Sequence, residues 1–384
     1  MGEWKEYKLG DLVVGNRGNY GIAAPAVDYD VNKYTYLRIT DINDDGTINK
    51  NGLKSVDDKN ADNYILHPND IVFARTGASV GRSYFYDKKD GVLVYAGFLI
   101  KFSIDPQKVN PKILKYYTHS QPYYDWIQTV DNGATRGNIN AQIYASMPLL
   151  LPERNEQDKI VSILSSLDDK IDLLHRENTT LEAMAETLFR KWFIEEVRHE
   201  VSLGDVVETT SGGTPSRKCE EYYQNGIIDW VKSKELNRSF LLKTEEKITV
   251  EAVENSSAKF LPANSVLIAM YGATVGEYAI IAKEMTCNQA VCALKPNDNY
   301  PYTYLYLWAK FMQDEFLNLA CGAAQQNISQ VLIKQQQICS DVDVVKQFHY
   351  IVEPFFEKIK QNEMQLSSLE EMKNLILPKL MNNE

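Results

Sequence analysis

The chain has 384 residues, 44% of them hydrophobic, and sets 41 basic against 52 acidic side chains for a net charge of -11. That length fits about two domains with ordinary cores, and the absence of any run of about 18 apolar residues excludes a membrane-spanning helix. The five cysteines (Cys219, Cys287, Cys292, Cys321, Cys339) lie in the second half at no metal-ligand spacing, and the five histidines are scattered. A zinc site or disulfide scaffold is therefore not expected, and buried reduced thiols are.

From the N-terminus, Met1 to Asp11 is charged and lacks the apolar core of a signal peptide, so a cytoplasmic location is expected. Residues 5 to 150 then read as strand-rich: short Val-, Ile-, Tyr- and Phe-rich runs broken by Gly, Pro, Asn and Asp, such as Tyr34 to Ile39, Asp70 to Ala74 and Val92 to Phe102. A helix over Pro111 to Thr129 opens on a proline in its first turn. Residues 201 to 338 repeat this texture, with strands expected at Ile228 to Val231, Ser265 to Met270 and Gln289 to Leu294 and a helix over Pro301 to Leu319. Each head is thus mixed α and β, with strands predominating.

The segments after the two heads follow a different period. Ile160, Leu164, Leu167, Ile171, Leu174, Asn178, Leu181, Ala185, Leu188 and Trp192 recur at alternating steps of four and three. That is a heptad seam interrupted by one asparagine. A step of 188 residues gives a second seam, Phe348, Val352, Phe355, Ile359, Asn362, Leu366, Leu369, Lys373, Ile376 and Leu380. Two helices of about 40 residues follow, each on the order of 60 Å long at about 1.5 Å per residue. Ten acids and six bases over 156–198, with eight and five over 341–384, place -7 of the -11 in these helices. The heads are therefore only mildly acidic. Clusters such as Arg75/Arg82/Lys88/Lys89, Arg217/Lys218 and Lys232/Lys234/Arg238 could form basic faces or simply solvated surface.

Head and helix together are written twice. FARTGASVG around Gly77 and Gly81 matches AMYGATVG around Gly272 and Gly276, both glycines at the same step of 195 residues. Leu9-Gly10-Asp11-Leu12 matches Leu203-Gly204-Asp205-Val206, and GATRGNI at Gly133 matches GAAQQNI at Gly322. Domains are accordingly expected at 1–152 (first head), 153–198 (central helix), 199–340 (second head) and 341–384 (C-terminal helix). If the helices pair antiparallel, as a tandem repeat with an internal two-fold axis requires, Asn178 and Asn362 face each other across the seam. Leu174 then meets Leu366, Leu181 meets Ile359 and Leu188 meets Val352. Otherwise each asparagine faces solvent or caps a local carbonyl.

No GxxxxGK[ST] loop, GxGxxG after a strand, GxSxG elbow, HExxH helix or Asn-Pro-Pro-aromatic tetrad occurs. GASVG and GATVG lack the Lys-Ser/Thr of a phosphate loop and read as tight turns between strands. No catalytic residue and no metal site is expected.

These strings resemble the specificity subunit of type I restriction-modification enzymes nearly end to end. YLRITDIN at Tyr36, NDIVFARTGASVGRSYFY at Asn69 and YAGFLIKF at Tyr95 resemble one flavour of that family's target recognition domain; SGGTPSRK at Ser211, IIDWVKSKEL at Ile227, LIAMYGATVG at Leu267 and TCNQAVCAL at Thr286 resemble another. MPLLLPERNEQDKIVSILSSLDDKI from Met147 and LEAMAETLFRKWF from Leu181 resemble its central helix, whereas SDVDVVKQF at Ser340 departs from the expected entry to the second. The resemblance implies an α+β protein: two target recognition domains separated by two long helices forming an antiparallel coiled coil. It implies no catalysis and no cofactor in this chain. Two modification subunits using S-adenosylmethionine and two restriction subunits using ATP and Mg would be the partners, on double-stranded DNA with a bipartite target.

Side chains able to read base edges from loops are Arg, Lys, Asn, Gln, Ser and Thr. The candidates in the first head are Arg75, Thr76, Ser79, Arg82 and Arg136. In the second they are Thr214, Ser216, Arg217, Lys232, Ser233, Lys234, Tyr271, Thr274 and Gln289. A competing reading is an orphan scaffold that binds such subunits without productive DNA recognition.

Overall fold

The computed structural model describes residues 4–133, 138–236, 239–321 and 327–381. The chain divides into two compact units: Met1–Lys170 with Leu369–Glu384, and Ile171–Ser368. Each unit thus holds one head together with parts of both long helices.

In the first unit, Lys5–Lys8 pairs antiparallel with Pro148–Leu151, so the head closes where it begins. Between them lies a four-stranded sheet in the order Asn19–Tyr20, Leu99–Ser103, Asp70–Ala74, Ser83–Phe85. A second sheet runs Ala26–Asp28, Lys54–Val56, Tyr34–Leu37, Leu93–Tyr95, its last pair parallel. The run expected as one strand over Val92 to Phe102 is two, because the chain changes sheets at a tight turn in which Leu99 N–H donates to the Ala96 carbonyl. A side chain at Gly97 would sit 3.3 Å from the Ile22 carbonyl oxygen, a tight approach that glycine avoids.

The second unit repeats the plan. Glu200–Ser202 pairs with Gln337–Cys339, and the main sheet runs Glu208–Ser211, Val291–Lys295, Val266–Ala269, Tyr278–Ile281, Phe240–Leu241. Ile228–Val231 lies parallel to Thr286–Cys287 in a separate sheet. Here too the chain changes sheets at a turn, Asn288 to Ala290, so Gln289 precedes the strand instead of opening it.

Both repeated glycine pairs shape the same hairpin. Gly77 and Gly81 have φ of 73° and 85°, Gly272 and Gly276 of 71° and 83°. These left-handed values are open to glycine at little cost. Even the preceding turns agree: Asn69 and Asn264, again 195 residues apart, have φ of 73° and 68°.

The two expected head helices are each broken. Ile113–Tyr117 gives way to Gln121–Gly133 where the Thr118 and Ser120 hydroxyls donate to the carbonyls of Lys115 and Tyr117, and Tyr302–Phe311 gives way to Gln313–Cys321 at Met312.

The central helix spans Arg154–Phe189 and continues through a π-helical turn, Arg190–Glu195; the C-terminal helix spans Val342–Met381. The divergent entry SDVDVVKQF still starts a helix, because the Asp341 carboxylate accepts the Val344 N–H and caps the first turn. Every expected seam position is buried or half-buried. Inside the second unit the helices run antiparallel: Asn178 hydrogen-bonds Asn362, while Phe189, further along the first helix, meets Phe348, further back along the second, ring to ring at 5.7 Å. Leu174 and Leu366 are both buried, and Leu181, Leu188, Val352 and Ile359 share one core.

Each pair of helix segments also anchors on its head, which the heptad pattern alone did not predict. In the second unit Phe189 stacks on Phe311 at 5.1 Å and lies 5.5 Å from Tyr304. Burying one such side chain contributes about 2 kcal/mol. Tyr306 donates to Glu182, and Lys310 bridges Glu182 and Glu186. In the first unit Leu377 and Met381 join Ile160, Val161 and Leu164 in the head's core. Lys373, the one charged seam residue, pairs with Asp168 at 2.7 Å, and Lys115 of the head approaches the same carboxylate at 2.5 Å. No helix among the described residues is long and apolar enough to cross a membrane.

Candidate nucleic-acid interface

The glycine hairpin of each head is presented beside the sheet-changing turn and a returning segment. In the first head, Arg75 N–H donates to the Phe98 carbonyl, and Ile139 N–H donates to the Arg75 carbonyl. Thr76 bridges Asn138. In the second, Met270 N–H donates to the Ala290 carbonyl, Ile328 N–H donates to the Met270 carbonyl, and Tyr271 bridges Asn327. The same three-part tip is built twice from unlike side chains.

In the first tip the Arg75 guanidinium lies 5.0 Å from the centre of the Tyr20 ring, and its Nε–H donates to Asn138 Oδ1 at 3.3 Å. Tyr20 is fixed in turn, because its hydroxyl accepts the Ala141 N–H. Phe98, 59% exposed, flanks the group. Thr76 is half-buried. Ser79 is only 7% exposed, so the turn encloses its hydroxyl and removes it from the reachable set. Arg82 is occupied, its Nε donating to Asp44 at 2.6 Å and a terminal nitrogen to the Ile42 carbonyl. Arg136 lies outside the described residues.

The second head separates its candidates into two groups. At the tip, Thr214 donates to the Gln289 side-chain carbonyl, both residues being exposed. Tyr271 is 42% exposed, and the Thr274 hydroxyl turns back to the Tyr271 carbonyl. Away from it, Arg217 forms a two-pronged pair with Glu246 and lies 4.2 Å from the Tyr223 ring centre and 5.2 Å from that of Trp230. Lys232 reaches Glu245 and Glu246, and Lys234 holds Glu245 at 2.6 Å. Hydrogen bonding to Arg217 holds the Glu246 carboxyl below its usual range, so the carboxylate is charged at neutral pH. Ser216 is exposed and Ser233 half-buried in the short turn Ser233–Glu235. That turn also has a counterpart: Asp41 accepts the Arg38 N–H in the first head as Glu235 accepts the Lys232 N–H in the second.

Tyr20, Phe98, Asn138 and Asn327 belong to the tips and were not among the sequence candidates. The asparagines carried a signal, since each precedes an isoleucine at the end of the matched GATRGNI and GAAQQNI runs. The aromatic residues carried none, because Tyr20 and Arg75 are brought together only by the sheet. Among the described residues no group of acidic, histidine and cysteine side chains could hold a metal ion.

A family model described as the type I restriction modification DNA specificity domain matches residues 1–183 and 195–339. A type I restriction enzyme specificity subunit of Haemophilus influenzae, HindI, is 24% identical over the whole of both chains. The EcoR124I/EcoR124II specificity subunit of Escherichia coli is 30% identical over 51% of each. The S subunit of a type I restriction-modification system from M. genitalium shares the fold, with a TM-score of 0.63 at 17% identity over 99% of this chain and 96% of that one. With the family model spanning both heads and most of the central helix between them, the chain belongs to the type I restriction-modification DNA specificity family.

Proposed function

We propose that this chain is the sequence-reading subunit of a type I restriction-modification complex, its two heads each contacting one half of a bipartite DNA target. The observation that carries the reading is the tip built twice from one backbone plan with unlike side chains. A shared plan docks on DNA in the same way, and unlike side chains read unlike bases. Arg75, Thr76, Arg82 and Arg136 in the first head, and Thr214, Ser216, Arg217, Lys232, Ser233, Lys234, Tyr271, Thr274 and Gln289 in the second, form the contact set. The heads correspond to about 1–152 and 199–340.

The long helices offer two similar faces on which two modification subunits dock, and two restriction subunits complete the complex. Adenine methylation with S-adenosylmethionine and ATP-driven cleavage belong to those partners; this chain supplies recognition and works in the cytoplasm. Because phosphate attraction dominates non-specific affinity and the chain is acidic, the isolated subunit binds DNA weakly and in a salt-sensitive way. Methylome sequencing of the host with and without this gene tests the proposal. Loss of one split adenine-methylated motif is expected. A methylome unchanged by the deletion, with the modification subunit still bound, would instead favour the orphan scaffold.

A further inference from the structure

We infer that Arg75 reads a guanine in the half-site contacted by the first head, with Tyr20 and Asn138 as its positioning residues. The inference rests on the DNA-reading function proposed above and names a base and a residue within it.

The arginines near the two heads' candidate surfaces differ in what they hold. Arg38 grips Asp41, Arg82 grips Asp44 and Arg217 grips Glu246, so their charge is internally matched. No carboxylate lies within ion-pair distance of Arg75 among the described residues, although it stands at an exposed tip beside Phe98. Its guanidinium is nevertheless fixed: the Tyr20 ring supports one face and Asn138 takes the Nε–H. Of the five N–H donors of arginine, the four on the two terminal nitrogens remain. A fixed fork with two free prongs matches O6 and N7 of guanine, two acceptors side by side in the major groove. The adjacent left-handed glycine at 77 carries no side chain that would crowd the approach.

The repeat sharpens the point. The residue 195 positions later is Met270, which is 2% exposed. The second head has no cation at this place, so its tip, with Thr214, Tyr271 and Gln289, reads by other chemistry. Guanine recognition from this position is therefore a property of one half-site only.

The test uses complexes reconstituted with the cognate modification subunit and carrying wild-type chain, Arg75→Lys or Arg75→Ala. Their methylated motifs are read by single-molecule sequencing, with the first head's half assigned by exchanging residues 199–340. Both variants are expected to make one guanine position of that half degenerate, with preference over the other bases falling roughly ten- to hundredfold, while the other half is unchanged. Lysine keeps the charge but lacks the fork, so Arg75→Lys should lose less preference than Arg75→Ala; Arg75→Ala retaining full guanine preference would mean that Arg75 contacts no base and would overturn the inference. So would a uniform loss over all sequences with the salt slope reduced by about one, or a wild-type first half without guanine. Asn138→Ala is expected to weaken the same preference with thermal stability retained; a change in melting alone would remove it as a positioning residue. Failure of the wild-type complex to methylate any split motif would instead defeat the underlying DNA-reading function.

Discussion

Asn362 Nδ2 donates to Asn178 Oδ1 at 2.8 Å, and each amide is also tied to a carboxylate of the opposing helix, Asn178 to Glu363 at 2.9 Å and Asn362 to Glu177 at 3.0 Å. The four residues form a crossed polar layer between apolar ones. A one-turn slip of either helix would set both amides against the leucines and isoleucine that flank them in the seam. A buried amide pair of this kind selects one register at some cost in stability.

Replacing one member, Asn178→Leu or Asn362→Leu, should therefore cost about 1–3 kcal/mol, since the remaining amide loses its buried partner across the seam and keeps only its glutamate. Replacing both with leucine should recover most of that or exceed the wild type, while permitting alternative registers. Thermal unfolding of the three variants checks the energies. A double variant less stable than either single one would show that the layer contributes net stability and would contradict this account.

Asp168 is the corresponding polar junction of the first unit. Burial pushes its carboxyl up, but the ammonium groups of Lys115 and Lys373 more than offset this, and the net direction is down. A carboxyl whose folded value is depressed contributes stability that is present above its unfolded value near about 3.9 and is lost as the pH falls through the folded one. Asp168→Asn should cost about 2 kcal/mol at neutral pH, less than a fully buried pair because both lysines are partly solvated. The acid-side decline in stability should also be shallower than in the wild type. Urea unfolding between about pH 2 and pH 7 measures both; parallel curves would exclude Asp168 as a source of the acid sensitivity.

The seam, the asparagine pairing and the repeated glycine hairpin were legible because each depends on residues at fixed spacing. The change of sheet inside Val92 to Phe102 was not. A continuous apolar run has the same period whether the strand stays in one sheet or crosses to another, and only the turn at Gly97 distinguishes them. Lys373 read as an imperfection of the seam because its partner lies about 200 residues earlier. Tyr20 beneath Arg75 and Glu246 against Arg217 were missed for the same reason: side chains distant in sequence are made neighbours by strand pairing. Candidate basic residues could be named from sequence, but which were already neutralised could not.

The thiols should separate by burial. Burial pushes Cys287 and Cys292 up to about 12, whereas Cys219 is only half-buried. Because the thiolate is the reacting form, iodoacetamide at pH 8 should label Cys219 in the native protein well before Cys287 or Cys292, which should react on unfolding. Peptide mass spectrometry reads the order; equal labelling of the three in the native state would contradict the packing of the second head.

Exchange of residues 199–340 for those of a subunit with another specificity should alter one half of the methylated motif and leave the other intact. The closure of each head by its own first and last strands, Lys5–Lys8 with Pro148–Leu151 and Glu200–Ser202 with Gln337–Cys339, supplies natural junctions. Motif sequencing decides the outcome. A change in both halves would mean that the heads do not read independently.

Glu245 and Glu246 hold Arg217, Lys232 and Lys234 in the second head, so that three cations meet two anions. A phosphate approaching this face must compete with the internal partners, and competition weakens attraction without abolishing it. Glu246→Gln should release Arg217 from its two-pronged pair and leave the guanidinium stacked near Tyr223 and Trp230, supported but no longer neutralised. Fluorescence anisotropy with a non-target duplex should then show tighter binding by the assembled complex. The logarithmic salt slope should steepen by about one, as expected for one additional phosphate contact. Arg217→Ala in the Glu246→Gln background should abolish the gain. If Glu246→Gln tightens binding equally when Arg217 is absent, the effect is the loss of a negative charge alone, and Arg217 makes no phosphate contact on this face.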